Sequence, residues 1–132
     1  MKLQIADVMT AMPVTIGVDC SLAEARALMD RHQIRHLPVM KLGRLVGIVS
    51  ERELDLLLTA PEIDGDNAAI SRAMTTGPLV VAPGDAVDVV AERMAELKVG
   101  SAVVVRRDQI LGMFTTTDAL RALADVTKSR LP

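Results

Sequence analysis

Apolar positions along this chain change period several times, and each change marks a predicted element. From Leu22 the apolar side recurs at Ala25, Leu28, Met29 and His32, the spacing of one buried helix face running to Gln33. Ser21-Leu-Ala-Glu24 starts that helix as a capping box, the serine oxygen accepting from the Glu24 N–H while the glutamate reaches back. Two short strands are expected next, His36 to Met40 and Leu45 to Val49, and the polar Lys41-Leu-Gly-Arg44 between them predicts a hairpin. A short strand is expected over Val14-Thr-Ile16 and a further helix over Leu54-Asp-Leu-Leu-Leu58. Pro38 lacks an N–H, so its strand is expected at a sheet edge, or with the proline at an irregular start.

The same pattern returns 65 residues later without a gap. Met9-Thr10 matches Met74-Thr75, Pro13 matches Pro78, Met29 matches Met94, Val39 matches Val104 and Gly47 matches Gly112. The second helix face is Val87, Val90, Met94 and Leu97; the matching strands are Leu79 to Val81, Ser101 to Val105 and Ile110 to Phe114, with Arg106-Arg-Asp-Gln109 as the hairpin connection. Short helical lead-ins, Ile5 to Met9 and Ala68 to Met74, precede the two prolines. The chain therefore reads as one β-α-β-β-α unit used twice. Residues 1–59 are the first repeat, 60–67 a linker rich in Pro, Gly and Asp, 68–125 the second repeat, and 126–132 a frayed C-terminal tail. A half of this size is marginal alone, so this α/β (α+β) fold is expected to pack its two sheets face to face about a pseudo-twofold axis.

Composition narrows the function classes. One Phe and no Trp or Tyr leave the core to Val, Leu, Ile, Ala and Met, and offer no stacking platform for single-stranded nucleic acid. A net charge of −2 lacks the basic footprint that a phosphate backbone needs, so no nucleic acid is expected as a partner. Cys20 is the single cysteine; it excludes an intrachain disulfide framework and reads as an incidental thiol in a reducing interior. His32 and His36 stand near it in chain order, but a metal needs three or four converging ligands, and the helix is expected to end between the histidines. No apolar run approaches the ~20 residues of a membrane span, and Asp7 interrupts the start too early for a signal peptide. The expectation is a cytoplasmic protein with no membrane partner. No nucleophile-base-orienter set is visible, so it is not expected to be an enzyme.

The candidate chemistry lies at two strand-to-helix turns, Gly47-Ile-Val-Ser-Glu-Arg-Glu53 and Gly112-Met-Phe-Thr-Thr-Thr-Asp118. Each places a glycine, two apolar residues, a hydroxyl and, three positions on, a carboxylate at a helix start. A carboxylate accepts both hydroxyl protons of a ribose, and a helix N-terminus favours phosphate. The same spacing is also a capping box, Ser50 with Glu53 and, as a near variant, Thr115 with Asp118, worth ~1 kcal/mol to a helix with no ligand. Spacing alone leaves both readings open.

These segments, with Ile34-Arg-His-Leu-Pro-Val39, Met9-Thr10 and Pro13-Val-Thr-Ile16, resemble a tandem pair of CBS domains, or Bateman module, from Asp7 to about Leu123. The resemblance implies a pseudosymmetric pair with two clefts between the repeats, a homodimer, and no chemistry of its own. It implies a stand-alone regulatory, energy-sensing module with no required cofactor. Its ligand would be an adenosine-containing molecule such as AMP, ADP, ATP or S-adenosylmethionine, and its occupancy would signal to a target protein. The alternative is a ligand-free scaffold whose motifs only cap helices. On the ligand-binding reading, Thr115 with Asp118 and Ser50 with Glu53 meet ribose and phosphate. Val14, Ile16, Leu79 and Val81 would then line the adenine, and Arg35, His36, Arg52 and Lys98 are the candidates for the phosphates. Glu53 is one methylene longer than the usual Asp, displacing its carboxylate by ~1.5 Å, so the Thr115 and Asp118 site is the one expected to bind.

Overall fold

A computed structural model of the chain describes residues 2–11 and 14–129. Pro13, named above as ending a lead-in, and residues 130–132 of the expected tail lie outside them. The elements are α1 (Ile5–Val8), β1 (Ile16–Gly17), α2 (Leu22–His32), β2 (His36–Lys41), β3 (Arg44–Ser50), α3 (Glu51–Leu58), a 3-10 turn at Ile70–Arg72, β4 (Thr75–Thr76), β5 (Val80–Val81), α4 (Val87–Leu97), β6 (Ser101–Arg106), β7 (Gln109–Thr115) and α5 (Thr116–Ser129). Two α+β units result, one built from Val14–Pro78 and the other from Met1–Pro13 with Leu79–Pro132. The lead-in that precedes each repeat in sequence therefore belongs to the unit formed by the rest of the other repeat.

In the first unit the sheet order is β1-β2-β3-β4, with β1 parallel to β2 and the remaining pairs antiparallel. In the second, β5-β6-β7 repeats that arrangement, and Thr10 takes the place of β4 through an antiparallel bridge to Met113. Each hairpin turns on two residues of positive φ, Leu42 and Gly43 or Arg107 and Asp108, the backbone of a type I′ turn, whose twist suits a hairpin. Pairing slips by one residue at Val39/Met40 and at the matching Val104/Val105, so even the bulge is repeated.

Pro38 corrects one expectation: it is buried in β2, which is an interior strand. The reason lies with its neighbour. At the matching position Val103 donates its N–H to the Leu79 carbonyl, one residue before β5. Pro38 cannot donate, and β1 pairs only from Ile16 opposite Val39, one position further along than β5, which pairs from Val80 opposite Val103. The cost of an interior proline is thus confined to one shortened parallel pair.

The helix faces follow the 3.6-residue period except at their ends. Leu22, Ala25 and Met29 are buried in α2, as are Val90 and Met94 in α4. His32 and Leu97, expected on those faces, are exposed. Both stand in the last turn, before a residue in the left-handed conformation, Gln33 or Lys98, which swings the chain away into the next strand. The serine half of the Ser21 cap is present, since Ser21 Oγ accepts from Glu24 N at 3.1 Å. The segment read as a linker is folded: Asp64 accepts from the Asp66 N–H, Ile63 packs on the first core, and Gly65 and Ala68 carbonyls accept from Ala23 and Leu22. α5 continues to Ser129, past the expected start of the tail, with Thr127 and Ser129 hydroxyls donating to carbonyls one turn back.

Two cores sit beneath these sheets. The first joins Leu22, Met29, Leu37, Val39, Val49 and Leu54 to Ile70; the second joins Val81, Val90, Met94, Val104 and Phe114 to Ile5. Ile5 and Ile70 are 65 residues apart, come from the two lead-ins, and are both fully buried. Each fills the core of a unit otherwise built from the other repeat. Ile5→Ala is expected to destabilise the second unit by about 2–5 kcal/mol, the range for deleting a buried isoleucine, while the exposed Leu3→Ala stays within about 0.5 kcal/mol; urea melts of the two variants test this.

Candidate functional site

In the second unit, β7 runs straight into α5 at Thr115, so its side chain and that of Asp118 come together over one helical turn. Asp118 is 3% exposed and is the single buried charged residue among those described. Its Oδ2 accepts from the Thr115 N–H at 2.9 Å and from Thr115 Oγ1 at 3.2 Å, while Thr115 Oγ1 accepts from the Asp118 N–H at 3.4 Å. Its Oδ1 accepts from Thr10 Oγ1 at 2.8 Å, with the mostly exposed Arg121 guanidinium 3.5 Å away. The acid is thus a helix cap with a second hydroxyl, that of Thr10, on it. Gly112 is required by the same segment: a Cβ there would collide with the Thr10 carbonyl oxygen. Its close approach is to the protein's own backbone.

The first unit repeats this with a longer threonine contact. Ser50 Oγ accepts from the Glu53 N–H at 3.2 Å and donates to Glu53 Oε1 at 3.1 Å. Thr75 Oγ1, 65 residues after Thr10, lies 3.2 Å and 3.4 Å from the two Glu53 oxygens. Gly47 faces Thr75 and Met74 as Gly112 faces Thr10. Glu53 is half-buried rather than buried, the outcome of its extra methylene. In both units two of the first three helix N–H groups are engaged internally. Glu51 and Thr116 donate to the Arg35 and Gly100 carbonyls at 2.8 Å and 3.0 Å, and Glu53 and Asp118 donate to their capping hydroxyls. Sequence reasoning used Met9-Thr10 and Met74-Thr75 as markers of the repeat, and Met9-Thr10 also for the resemblance; nothing in it placed either threonine on an acid.

The other candidates divide between the units. Ile16 and Val81 are core residues, 5% and 7% exposed, whereas Val14 and Leu79 are half-buried in the segments just before β1 and β5. Arg35 and Arg52 are exposed, His36 is half-buried at the start of β2, and Lys98 is exposed at the end of α4. Cys20 is half-buried in an open groove of about 520 Å³ with Asp19, Glu24, Met40 and Lys41. A hydrogen bond with the Glu24 carboxylate, then burial, pushes its thiol pKa up, so it stays protonated and weakly nucleophilic at neutral pH. No group of three metal-ligating side chains occurs among the described residues.

One cluster was not foreseen. Arg26 on α2 reaches Asp30 at 2.7 Å, Glu51 at 3.1 Å and Asp55 at 2.7 Å, tying α2 to α3. The bond to Asp30, against a smaller opposing effect of burial, raises the guanidinium above its already high pKa, and the same bond holds Asp30 below its ordinary 3.8. The i,i+4 pair Arg26 and Asp30 was legible; Glu51 and Asp55 needed the tertiary fold. At the matching positions the second repeat has Ala91, Ala95, Thr116 and Leu120, so there the equivalent face is uncharged.

The family model for the CBS domain matches residues 5–58 and 69–125. The chain belongs to the CBS domain family, as a tandem pair. The CBS domain-containing protein YhcV of Bacillus subtilis is 25% identical over 114 residues, which cover 86% of this chain and 81% of that protein. The chain spans 22% of each of the next two curated relatives it matches, which are much longer. Among solved structures, the CBS domain pair of protein MJ0100 in complex with 5'-methylthioadenosine and S-adenosyl-L-methionine is 25% identical with a TM-score of 0.80, covering 92% of this chain and 99% of that one. A hexameric CBS-CP12 protein from bloom-forming cyanobacteria is 29% identical with a TM-score of 0.83, covering 91% of this chain and 67% of that one. No helix among the described residues is long and apolar enough to cross a membrane.

Arg26→Ala leaves three carboxylates facing one another between α2 and α3, and is expected to lower the stability of the first unit by about 1 kcal/mol, a surface-pair magnitude, in a thermal melt at neutral pH. The Asp30 part of the tie has a lowered folded-state pKa, so it is complete above the ordinary carboxylate value and disappears as pH falls through the lowered one. The stability difference between the variant and the native chain should therefore shrink as pH falls through the lowered Asp30 value.

Proposed function

We propose that this CBS pair is a regulatory module that binds an adenosine-containing ligand, with S-adenosylmethionine the first candidate, and carries no chemistry of its own. The observation that carries the reading is the Gly112 to Asp118 turn, which brings a hydroxyl and a carboxylate within 3.2 Å at the start of a 14-residue helix. A ribose diol offers that carboxylate two donors. The MJ0100 pair, bound to two adenosine compounds, supports the ligand class. Thr115 and Asp118 are the ribose residues of this proposal, with Leu79 at the adenine. Ser50, Glu53 and Val14 form the weaker counterpart, since Glu53 is the longer acid. Of the phosphate candidates, Arg35, His36 and Arg52 are on the first repeat and Lys98 alone is on the second, so AMP, ADP and ATP are secondary to an uncharged or cationic adenosine compound at the Asp118 turn. Binding regulates only if the ligand prefers one arrangement of the module over another; a target protein reads that preference.

A specific observation favours a second reading, the ligand-free scaffold: both acids already have internal donors, and Asp118 is buried. Thermal melts with S-adenosylmethionine, 5'-methylthioadenosine, AMP, ADP and ATP separate the two. Saturation at 100 times Kd adds about 2.7 kcal/mol, a rise of roughly 3–6 °C for a chain of this size. No rise with any of the five, on protein freed of carried-over ligand, leaves the scaffold. Asp118→Asn keeps the shape and loses the charge; it is expected to weaken S-adenosylmethionine binding about tenfold or more, and equal binding would make Asp118 a cap alone.

The assembly we infer is a homodimer through the second repeat. Leu120 and Leu123, 60% and 61% exposed, lie on the face of α5 opposite Ala122 and Asp118. A twofold contact must complement itself. The uncharged face with Ala95, Thr116 and Leu120 does so, whereas the Arg26 cluster sets three carboxylates against one guanidinium. Replacing Leu120 and Leu123 together by Asp should convert a dimer to a monomer in light scattering at micromolar concentration, and Arg26→Ala should leave the dimer intact.

A further inference from the structure

Neither turn acid is free: each is held by a threonine from the lead-in packed against it. Thr10 Oγ1 donates to Asp118 Oδ1 at 2.8 Å, and Thr75 Oγ1 lies 3.2 Å from Glu53 Oε2. Thr10 is positioned for this by a reciprocal backbone pair, its N–H donating to the Met113 carbonyl at 2.9 Å and its carbonyl accepting from Met113 at 3.0 Å. Gly112 leaves the space that the pair requires. With Thr10 in place Asp118 is 3% exposed, and Thr115 occupies its other oxygen twice. A carboxylate so enclosed cannot receive a second molecule's diol.

We propose that Thr10 is the internal competitor for the Asp118 site, and that a ribose binds by exchanging its hydroxyl for the threonine's. The inference rests on the adenosine reading above. A threonine hydroxyl and a ribose hydroxyl are the same kind of donor, so the exchange replaces one O–H to carboxylate bond by another and makes or breaks no covalent bond. What favours the ligand is its second hydroxyl and its remaining contacts; what favours the closed form is that Thr10 is tethered beside the acid. Ligand entry then frees the Thr10 side of the lead-in, whose Ile5 is embedded in the same core. Thr75 plays this part at Glu53 with longer bonds, so its hold is the weaker of the two.

The test compares the native chain with Thr10→Val, which keeps the side-chain shape, and Thr10→Ser, which keeps the hydroxyl. In the absence of ligand, hydrogen exchange at the amides of residues 10 and 113 is expected to quicken about tenfold in Thr10→Val and to stay native in Thr10→Ser, a charged hydrogen bond having about that weight. Calorimetric affinity for S-adenosylmethionine is expected to rise about tenfold in Thr10→Val and to stay native in Thr10→Ser. Binding by Thr10→Val when the native chain shows none also supports the competition. Unchanged exchange, or an affinity that is unchanged or lower in Thr10→Val, overturns this inference while leaving the adenosine reading intact. Binding by no variant overturns both, and the exchange result then says only whether Thr10 secures the lead-in.

Discussion

The structure depends on an exchange of lead-in segments. Each repeat, taken in sequence order, lacks part of its core and one sheet neighbour, and both are supplied from the lead-in of the other. Ile5 completes the core around Phe114, and Ile70 the core around Leu22 and Leu54. Thr10 bridges to Met113, and β4 pairs with β3. A repeat of about 60 residues is marginal by itself. Because its missing piece is covalently part of the other repeat, neither unit can be completed without both. The glycines at 47 and 112 belong to this constraint, since a side chain at either would exclude the crossing segment.

The same crossing sets the state of the candidate site. The two motif acids were read as either caps or ribose ligands, and the observed bonds are those of caps with an added threonine. The capping geometry does not argue against a ligand, because a carboxylate has about four acceptor positions and the capping hydroxyl and N–H use one side of it. What the cap does is fix the acid in one orientation at the end of a strand and the start of a helix. The threonine then decides whether the remaining side is available.

The two repeats share a backbone and differ in their surfaces. Backbone features recur in register: the left-handed residue after each long helix, the bulge, the positive-φ hairpin turn. Side chains at the helix faces do not. The Arg26 cluster of the first repeat is Ala91, Ala95, Thr116 and Leu120 in the second, and Glu53 stands where the second has Asp118. Duplication has preserved what the core and turns demand, while the helix faces and the turn acids have diverged.

By itself the sequence determined the repeat, the strand and helix types, the hairpins and the family, because these depend on period, turn chemistry and local caps that act within a few residues. It also placed Thr115 beside Asp118 and Ser50 beside Glu53, three residues apart on one turn. Only the tertiary structure decided which lead-in completes which core, that Thr10 and Thr75 rest on the acids, that Pro38 lies inside a sheet, and that Arg26 gathers Glu51 and Asp55. The physical reason is distance along the chain. Thr10 and Asp118 are 108 residues apart, and no periodicity or propensity carries information about which of many compatible segments will close a sheet edge. That choice is made by the space above a glycine and the cavity that an isoleucine fills.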